Sequence, residues 1–261
     1  MDDKASTAPK LRAGLAQTDI TPPIGTHLAG AVGQYRPAEA VLDPLQARAL
    51  VLESDGRRMG VLALDVTIIT AQYTAAIRER ARRLGLEPEA LMVHATQTHS
   101  APAVGYFMVD EDFPALPPEL EWVRGAEAAY ADLVVERAEQ ALREAVESLQ
   151  PVEWGAASGI EGRLAFNRRA VRRDGTVGMP GRRWEEPLGP TWIAYIEGPI
   201  DPELGVIALR APEAEMVGLV LNYACHPVHV FPRPLVSADW PAAAAEGICA
   251  ALGDEACQAL V

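Results

Sequence analysis

Residues 59–70 read MGVLALDVTIIT, an apolar run with a single charged residue. The run lacks the polar alternation of a half-exposed strand, which predicts a central β-strand covered on both faces. The Asp55-Gly56 pair before it is typical of a hairpin turn, and residues 47–53 form the strand on the other side of that turn. A buried sheet is therefore predicted at the centre of the fold.

The rest of the chain alternates between strand-like and helix-like segments without a regular period. Further strands are predicted at 11–20, 91–95, 152–158, 204–210 and 216–224, helices at 71–84, 119–148 and 241–252, and a hairpin tip at Asp174-Gly175. This pattern indicates an α/β fold with mixed β-sheets sandwiched between helices. Since no repeat or domain boundary is visible, one domain is predicted over residues 11–261, after a disordered segment at 1–10.

Composition excludes several classes of function. The net charge of −13 argues against a nucleic-acid partner, because phosphate binding needs clustered Lys and Arg. No apolar stretch reaches the roughly 18 residues of a membrane span. Oligomeric state is left open by the sequence.

The chain ends give expectations about processing and location. The first ten residues have no apolar core and cannot be a signal peptide, which favours the cytoplasm unless a leader has been removed. The 3 cysteines are odd in number, so they predict no disulfide framework. Residues 254–261 begin another apolar strand and stop within it, so we expect the chain to be truncated at its C-terminal end.

Two polar islands interrupt apolar strands and contain four of the 5 histidines. The first island is HATQTHSAP at 94–102, and the second is NYACHPVH at 222–229. Imidazoles at strand ends often face a cleft, and His is the commonest protein ligand for transition metals. The islands therefore suggest a metal-dependent enzyme, with His99 and His226 as the candidate ligands.

Each histidine also has a structural interpretation. Taken singly, His99 and His226 are more typical of solvated or internally bonded residues, but two islands in matching contexts favour a shared role. His229 is interpreted as a loop residue and His94 as a packing residue. His27 is only a weak candidate for any functional role. Cys225 beside His226 suggests a thiol nucleophile only weakly.

Three other residues are candidates for catalysis. Asp239 precedes a helix that begins near proline, so it is predicted first as an N-cap acid and second as a group that orients a metal-bound histidine. Arg168 lies in a glycine-rich loop, where its planar guanidinium could hold a substrate oxygen, and Asn167 is next to it. A solvated basic loop is the alternative there.

With these residues in view, residues 13–261 resemble the N-terminal catalytic region of the neutral/alkaline non-lysosomal ceramidase family. The resemblance rests on short motifs in the family's order: residues 14–23 with DITP, 96–102, Asn167-Arg168, ACHPV at 224–228, and SADWP at 237–241. It implies an α/β catalytic domain and a zinc-dependent amidase that cleaves N-acylsphingosine. The chain is more similar to the family's shorter bacterial members, whose substrates are unknown.

The resemblance also implies a ligand set. One histidine from each island binds Zn²⁺, together with a glutamate and a tyrosine that follow farther along the family's chains. His226 matches the second histidine by its ACHPV setting, and His99 is the candidate for the first. The family commonly has THTHS in the first island, where this chain has Gln97 in place of a histidine. If the ligand position is that of Gln97, zinc affinity falls sharply, because an amide is a poor zinc donor.

Three functions remain open from the sequence. The first is a ceramidase-like zinc amide hydrolase, or its N-terminal portion, acting on a lipid or small-molecule amide. The second is a related hydrolase of another amide or ester, favoured by the absence of an obvious membrane-docking patch. The third is a non-catalytic fragment or pseudoenzyme that serves as a binding module, favoured by Gln97 and the early end.

Overall fold

The structure is a computed structural model that describes residues 11–110, 112–179, 192–212, 216–253 and 258–261. The segment 1–10, which we predicted to be disordered, lies outside the described residues, as does part of the C-terminal stretch, residues 254–257. The mixed α/β fold predicted from the sequence is present, with several helices and several mixed sheets.

The helices and strands follow the predicted order. The α-helices are α1 Ala71–Arg82, α2 Ala128–Glu147 and α3 Trp240–Leu252, with short 3₁₀ helices at Pro88–Ala90 and Pro118–Arg124. The strands are β1 Arg12–Asp19, β2 Ala40–Val41, β3 Gln46–Ser54, β4 Arg57–Leu64, β5 Leu91–Ala95, β6 Gln150–Pro151, β7 Glu153–Ile160, β8 Ala170–Arg172, β9 Val177–Gly178, β10 Ile193–Ile196, β11 Glu203–Arg210, β12 Met216–Tyr223, β13 Leu235–Val236 and β14 Gln258–Leu260.

The chain divides into two compact units. The first comprises Met1–Ala156, Ile207–Leu221 and Pro227–Val261, and the second comprises Ala157–Val206 and Asn222–His226. The candidate ligand His99 belongs to the first unit, whereas His226 belongs to the second.

A five-stranded mixed sheet forms the centre of the first unit. Its order is β5-β4-β3-β1-β6; β4 pairs with β5 in parallel, and the other pairs are antiparallel. The β3–β4 hairpin turns at Asp55 and Gly56, whose φ values of 50° and 72° suit the two central positions of a tight hairpin turn. The predicted hairpin is therefore confirmed.

The two faces of this sheet are covered by different layers. Helices α1 and α2 pack on one face, where Ile77, Val134 and Leu142 join the strand residues Val51 and Leu62 in the main core. A second sheet, with the order β14-β12-β11-β7, provides Leu209 and Leu260, which pack against Leu15, Leu50 and Ala63 on the opposite face. Burial on both faces explains why the central strands lack polar alternation.

The second unit contains a three-stranded sheet with the order β10-β8-β9. Strands β8 and β9 form an antiparallel hairpin around the predicted tip. Asp174 caps this turn by accepting hydrogen bonds from the backbone N and the hydroxyl of Thr176, at 2.9 and 2.7 Å, and Gly175 has a φ of 83°. Asn167, Arg168 and His226 all belong to this unit.

Candidate functional site

The first polar island leaves the sheet at the carboxyl ends of two parallel strands. The segments that follow β4 and β5 are still joined by backbone hydrogen bonds. Thr96 N donates to Leu64 O at 2.9 Å, and Gln97 N donates to Val66 O at 3.1 Å. Gln97 is exposed and has a φ of 65°, which turns the chain sharply towards His99. In α/β sheets this edge is the usual position of a binding site.

The main chain of His99 is held on both sides. Its backbone N donates to the carbonyl oxygen of Pro227 at 3.1 Å, and its carbonyl oxygen accepts a hydrogen bond from Nη2 of Arg36. Pro227 belongs to the first unit, like His99, and is the residue that follows His226 in the sequence. These two hydrogen bonds restrain the backbone of His99, whose side chain is half-buried.

The neighbours of His99 are fixed to the segment before α3. The Thr98 hydroxyl donates to Ser237 O at 2.8 Å, and Ser237 N donates to Ser100 O at 2.9 Å. On the other side, the Thr67 hydroxyl lies 2.9 Å from Thr98 O and 2.7 Å from Ala101 O. The loop that contains His99 is therefore tied both to the sheet edge and to the start of α3.

Phe231 packs against the imidazole of His99. The ring centroids are 5.5 Å apart, and the planes meet at 82°. The guanidinium of Arg36 stacks over the same phenyl ring, with Cζ 4.8 Å from the centroid. The sequence reasoning missed both residues, because neither belongs to a recognisable motif.

Asp239 is the N-cap of α3, which confirms the structural interpretation of this residue. Its Oδ1 accepts from Trp240 N at 2.8 Å, and its Oδ2 accepts from Val230 N at 2.9 Å, next to Phe231. The residue is buried and has φ 60° and ψ −150°, a region populated essentially by glycine. Its orienting role towards a metal-bound histidine stays a prediction, but the bond to Val230 connects it to the aromatic neighbour of His99.

His27 lies in a buried cluster beside Arg36. Its Nδ1 accepts from Arg36 N at 3.2 Å, and its ring packs against those of Tyr35 and Trp122, each centroid 5.7 Å away. Burial, together with the neighbouring positive charge of Arg36, lowers the pKa of His27 to about 4. The imidazole is therefore neutral at physiological pH, so this residue has more structural importance than the sequence indicated.

The other candidate residues lie in the second unit. The side chain of Asn167 shapes its own loop, because Oδ1 accepts from Arg169 N at 2.9 Å and Nδ2 donates to Pro199 O at 3.4 Å. Arg168 is exposed and His226 is half-buried. The substrate-positioning roles of Asn167 and Arg168, and the role of His226 as a ligand, stay predictions.

The donor chemistry fits zinc in part. The imidazoles of His99 and His226 are usual zinc ligands, whereas the amide of Gln97 is not. Among the residues that the structure describes, no group of three or more His, Cys, Asp or Glu side chains could hold a metal ion. In the same part of the chain, no helix is both long and apolar enough to cross a membrane.

The fold of this chain is shared with the neutral ceramidases. The structure of neutral ceramidase from Pseudomonas aeruginosa matches with a TM-score of 0.69 at 19% identity, over 97% of this chain and 38% of that chain. A structure described as ceramidase complexed with C2 matches with a TM-score of 0.68 at 19% identity, over 97% of this chain and 37% of that one. This chain therefore spans less than two fifths of either structure. Neither a protein-family model nor a curated protein matches the sequence.

Proposed function

We propose that this protein is a ceramidase-like, zinc-dependent amide hydrolase, or the N-terminal portion of one. The observation that carries the proposal is the immobilised His99 loop at the carboxyl edge of a sheet, in a chain that has the neutral ceramidase fold over 97% of its residues. His99 and His226 would hold the zinc ion.

When bound, zinc supplies Lewis acidity, which polarises a scissile carbonyl or lowers the pKa of a nucleophilic water or hydroxyl to about 7. The chain's own residues orient the reactants. Arg168 and Asn167 would position the polar head of the substrate, and Asp239 would keep the segment of Val230 and Phe231 against His99. The proposed substrate is a lipid amide of the ceramide type, and a panel of N-acyl lipids against short amides and esters tests that choice.

The test of the metal site is a zinc titration of the complete protein. We expect one zinc per protein by mass spectrometry, and we expect His226→Ala and His99→Ala to abolish both zinc binding and amide hydrolysis. His229→Ala is the matched control, because this exposed histidine is only three residues from His226 and should have no effect. Hydrolysis that survives in His226→Ala would contradict the assignment.

Gln97 favours a second candidate function, a binding module without catalysis. The variant Gln97→His separates the two, because histidine tolerates the positive φ of this position and restores the THTHS pattern. If His99 is the true ligand, zinc affinity should change less than threefold. An increase of tenfold or more would place the ligand position at residue 97 and would favour the non-catalytic interpretation of the natural chain.

A further inference from the structure

Arg36 is a buried arginine whose charge is poorly compensated. The residue is only 5% exposed, and of its side-chain nitrogens Nη2 donates to His99 O, whereas Nε and Nη1 are buried without a hydrogen-bond partner among the described residues. Within the same residues, no carboxylate forms an ion pair with it. A side chain with this environment is not explained by its contribution to folding.

Burial of an incompletely bonded charge is destabilising, and an apolar side chain of similar length commonly fills such a space with equal or greater stability. If Arg36 only occupied volume, methionine would serve better. The arginine is instead explained by what its guanidinium contacts, since burial without compensation is tolerated where a site needs the group.

The contacts of Arg36 converge on His99. Its Nη2 donates to the carbonyl oxygen of His99, and its guanidinium lies over Phe231, the ring that packs against the His99 imidazole. Its own backbone is fixed, because Arg36 N donates to Nδ1 of His27 at 3.2 Å. One side chain thus restrains both the main chain of His99 and the aromatic surface beside its ring.

We propose that Arg36 is a positioning residue for His99, which holds the imidazole in one orientation through the His99 carbonyl oxygen and the Phe231 ring. For zinc binding this inference rests on the proposed function, but the orientation of the imidazole exists without metal. Loss of a residue that contacts and orients a metal ligand without touching the metal typically lowers metal affinity about 10- to 100-fold.

The test compares three variants of the complete protein: Arg36→Met, Arg36→Lys and Arg124→Met. Arg124 is the control for the loss of a buried arginine, because its guanidinium lies 5.2 Å over the Tyr106 ring and donates to Pro114 O at 3.2 Å; unlike Arg36, it also pairs with Glu121 at 2.7 Å. The measurements are the imidazole carbon–proton NMR signals of His99 in metal-free protein, zinc affinity by chelator competition, and unfolding in urea.

We expect Arg36→Met to fold with unchanged or higher stability, to shift and broaden the His99 signals, and to weaken zinc binding tenfold or more. Arg36→Lys should recover most of both properties, because an ammonium group can donate to the same carbonyl. Arg124→Met should leave the His99 signals and zinc affinity unchanged.

Unchanged His99 signals in Arg36→Met, or an equal change in Arg124→Met, would overturn the inference. Failure of Arg36→Met to fold would also overturn it, because the arginine would then be a structural requirement. If the natural protein binds no zinc, the proposed function fails, and the NMR comparison in metal-free protein still decides whether Arg36 positions His99.

Discussion

At the scale of single residues, the position of His99 depends on a close approach that only glycine allows. A Cβ added to Gly30 would lie 2.3 Å from the carbonyl oxygen of His99, 2.5 Å from its Cα and 2.6 Å from its Cβ. Because these are mostly backbone atoms on a loop held by hydrogen bonds, the clash cannot be relieved by rotation of a side chain. Gly30 therefore sets how near the His99 loop lies to residues 27–36.

The variant Gly30→Ala should accordingly displace His99. Overpacking against a fixed backbone destabilises by about 1–3 kcal/mol, and we expect that loss in urea unfolding together with shifted His99 NMR signals. Gly247→Ala is the matched control, since this exposed glycine in α3 has nothing within 4 Å of an added Cβ. The control should be stabilised by up to about 1 kcal/mol through helix propensity. Equal stability of Gly30→Ala and the natural protein would contradict this account.

Some single-residue roles follow from local sequence, and others do not. The N-cap role of Asp239 was predictable because an acid before Trp-Pro at a helix start is a local pattern. The burial of Arg36 and the lowered pKa of His27 arise from side chains far away in sequence, including Trp122 and Phe231. No local pattern encodes those contacts, so the sequence alone did not predict a role for Arg36 and indicated only a weak one for His27.

At the scale of elements, most strands and helices were predictable, and the failures have local causes. The apolar run 59–70 was predicted as one strand, but β4 ends at Leu64, and the buried Asp65 that follows it pairs with Arg48 at 2.6 Å. Burial raises the pKa of Asp65, and the positive charge of Arg48 partly offsets that effect. The residues after Asp65 then support the His99 loop, a role that hydrophobic periodicity cannot reveal.

The helix predicted at 119–148 is also shorter than its pattern. It consists of a 3₁₀ helix, Pro118–Arg124, and α2, which begins at Ala128. Gly125 separates them with a φ of 84°, and a Cβ there would lie 2.6 Å from Phe107 Cε1. A single glycine inside a helical pattern is a weak signal, because many such glycines are tolerated.

The start of α3 gives a test at this scale. Asp239 has a backbone conformation that costs about 1–3 kcal/mol in a residue with a Cβ, and its carboxylate offsets this with two backbone hydrogen bonds. Asp239→Gly removes the bonds and the strain, whereas Asp239→Ala removes the bonds alone. We therefore expect Asp239→Gly to be more stable than Asp239→Ala by about 1 kcal/mol or more in urea unfolding. Equal stability of the two variants, or the reverse order, would contradict the strained conformation.

At the scale of the whole molecule, stability should depend on pH through a group that is not part of the proposed metal site. The folded pKa of His27 is about 4, below the 6.5 of an unperturbed histidine. Between these values the unfolded chain binds more protons than the folded one, so stability rises with pH across this window. The contribution of neutral His27 is complete above pH 6.5 and is lost as the pH falls towards 4.

The difference corresponds to a loss of about 3 kcal/mol at most between pH 6.5 and 4, which urea unfolding at a series of pH values can measure. His27→Asn keeps a polar group near Nδ1 but cannot titrate, so its stability should change less over the same window. The control His229→Asn, at an exposed histidine, should retain the pH dependence of the natural protein. Carboxylates titrate in all three proteins and cancel in the comparison. If the stability of His27→Asn and of the natural protein changed in parallel with pH, His27 would have the same pKa in the folded and unfolded chains. That result would contradict the burial of His27 in its ring cluster.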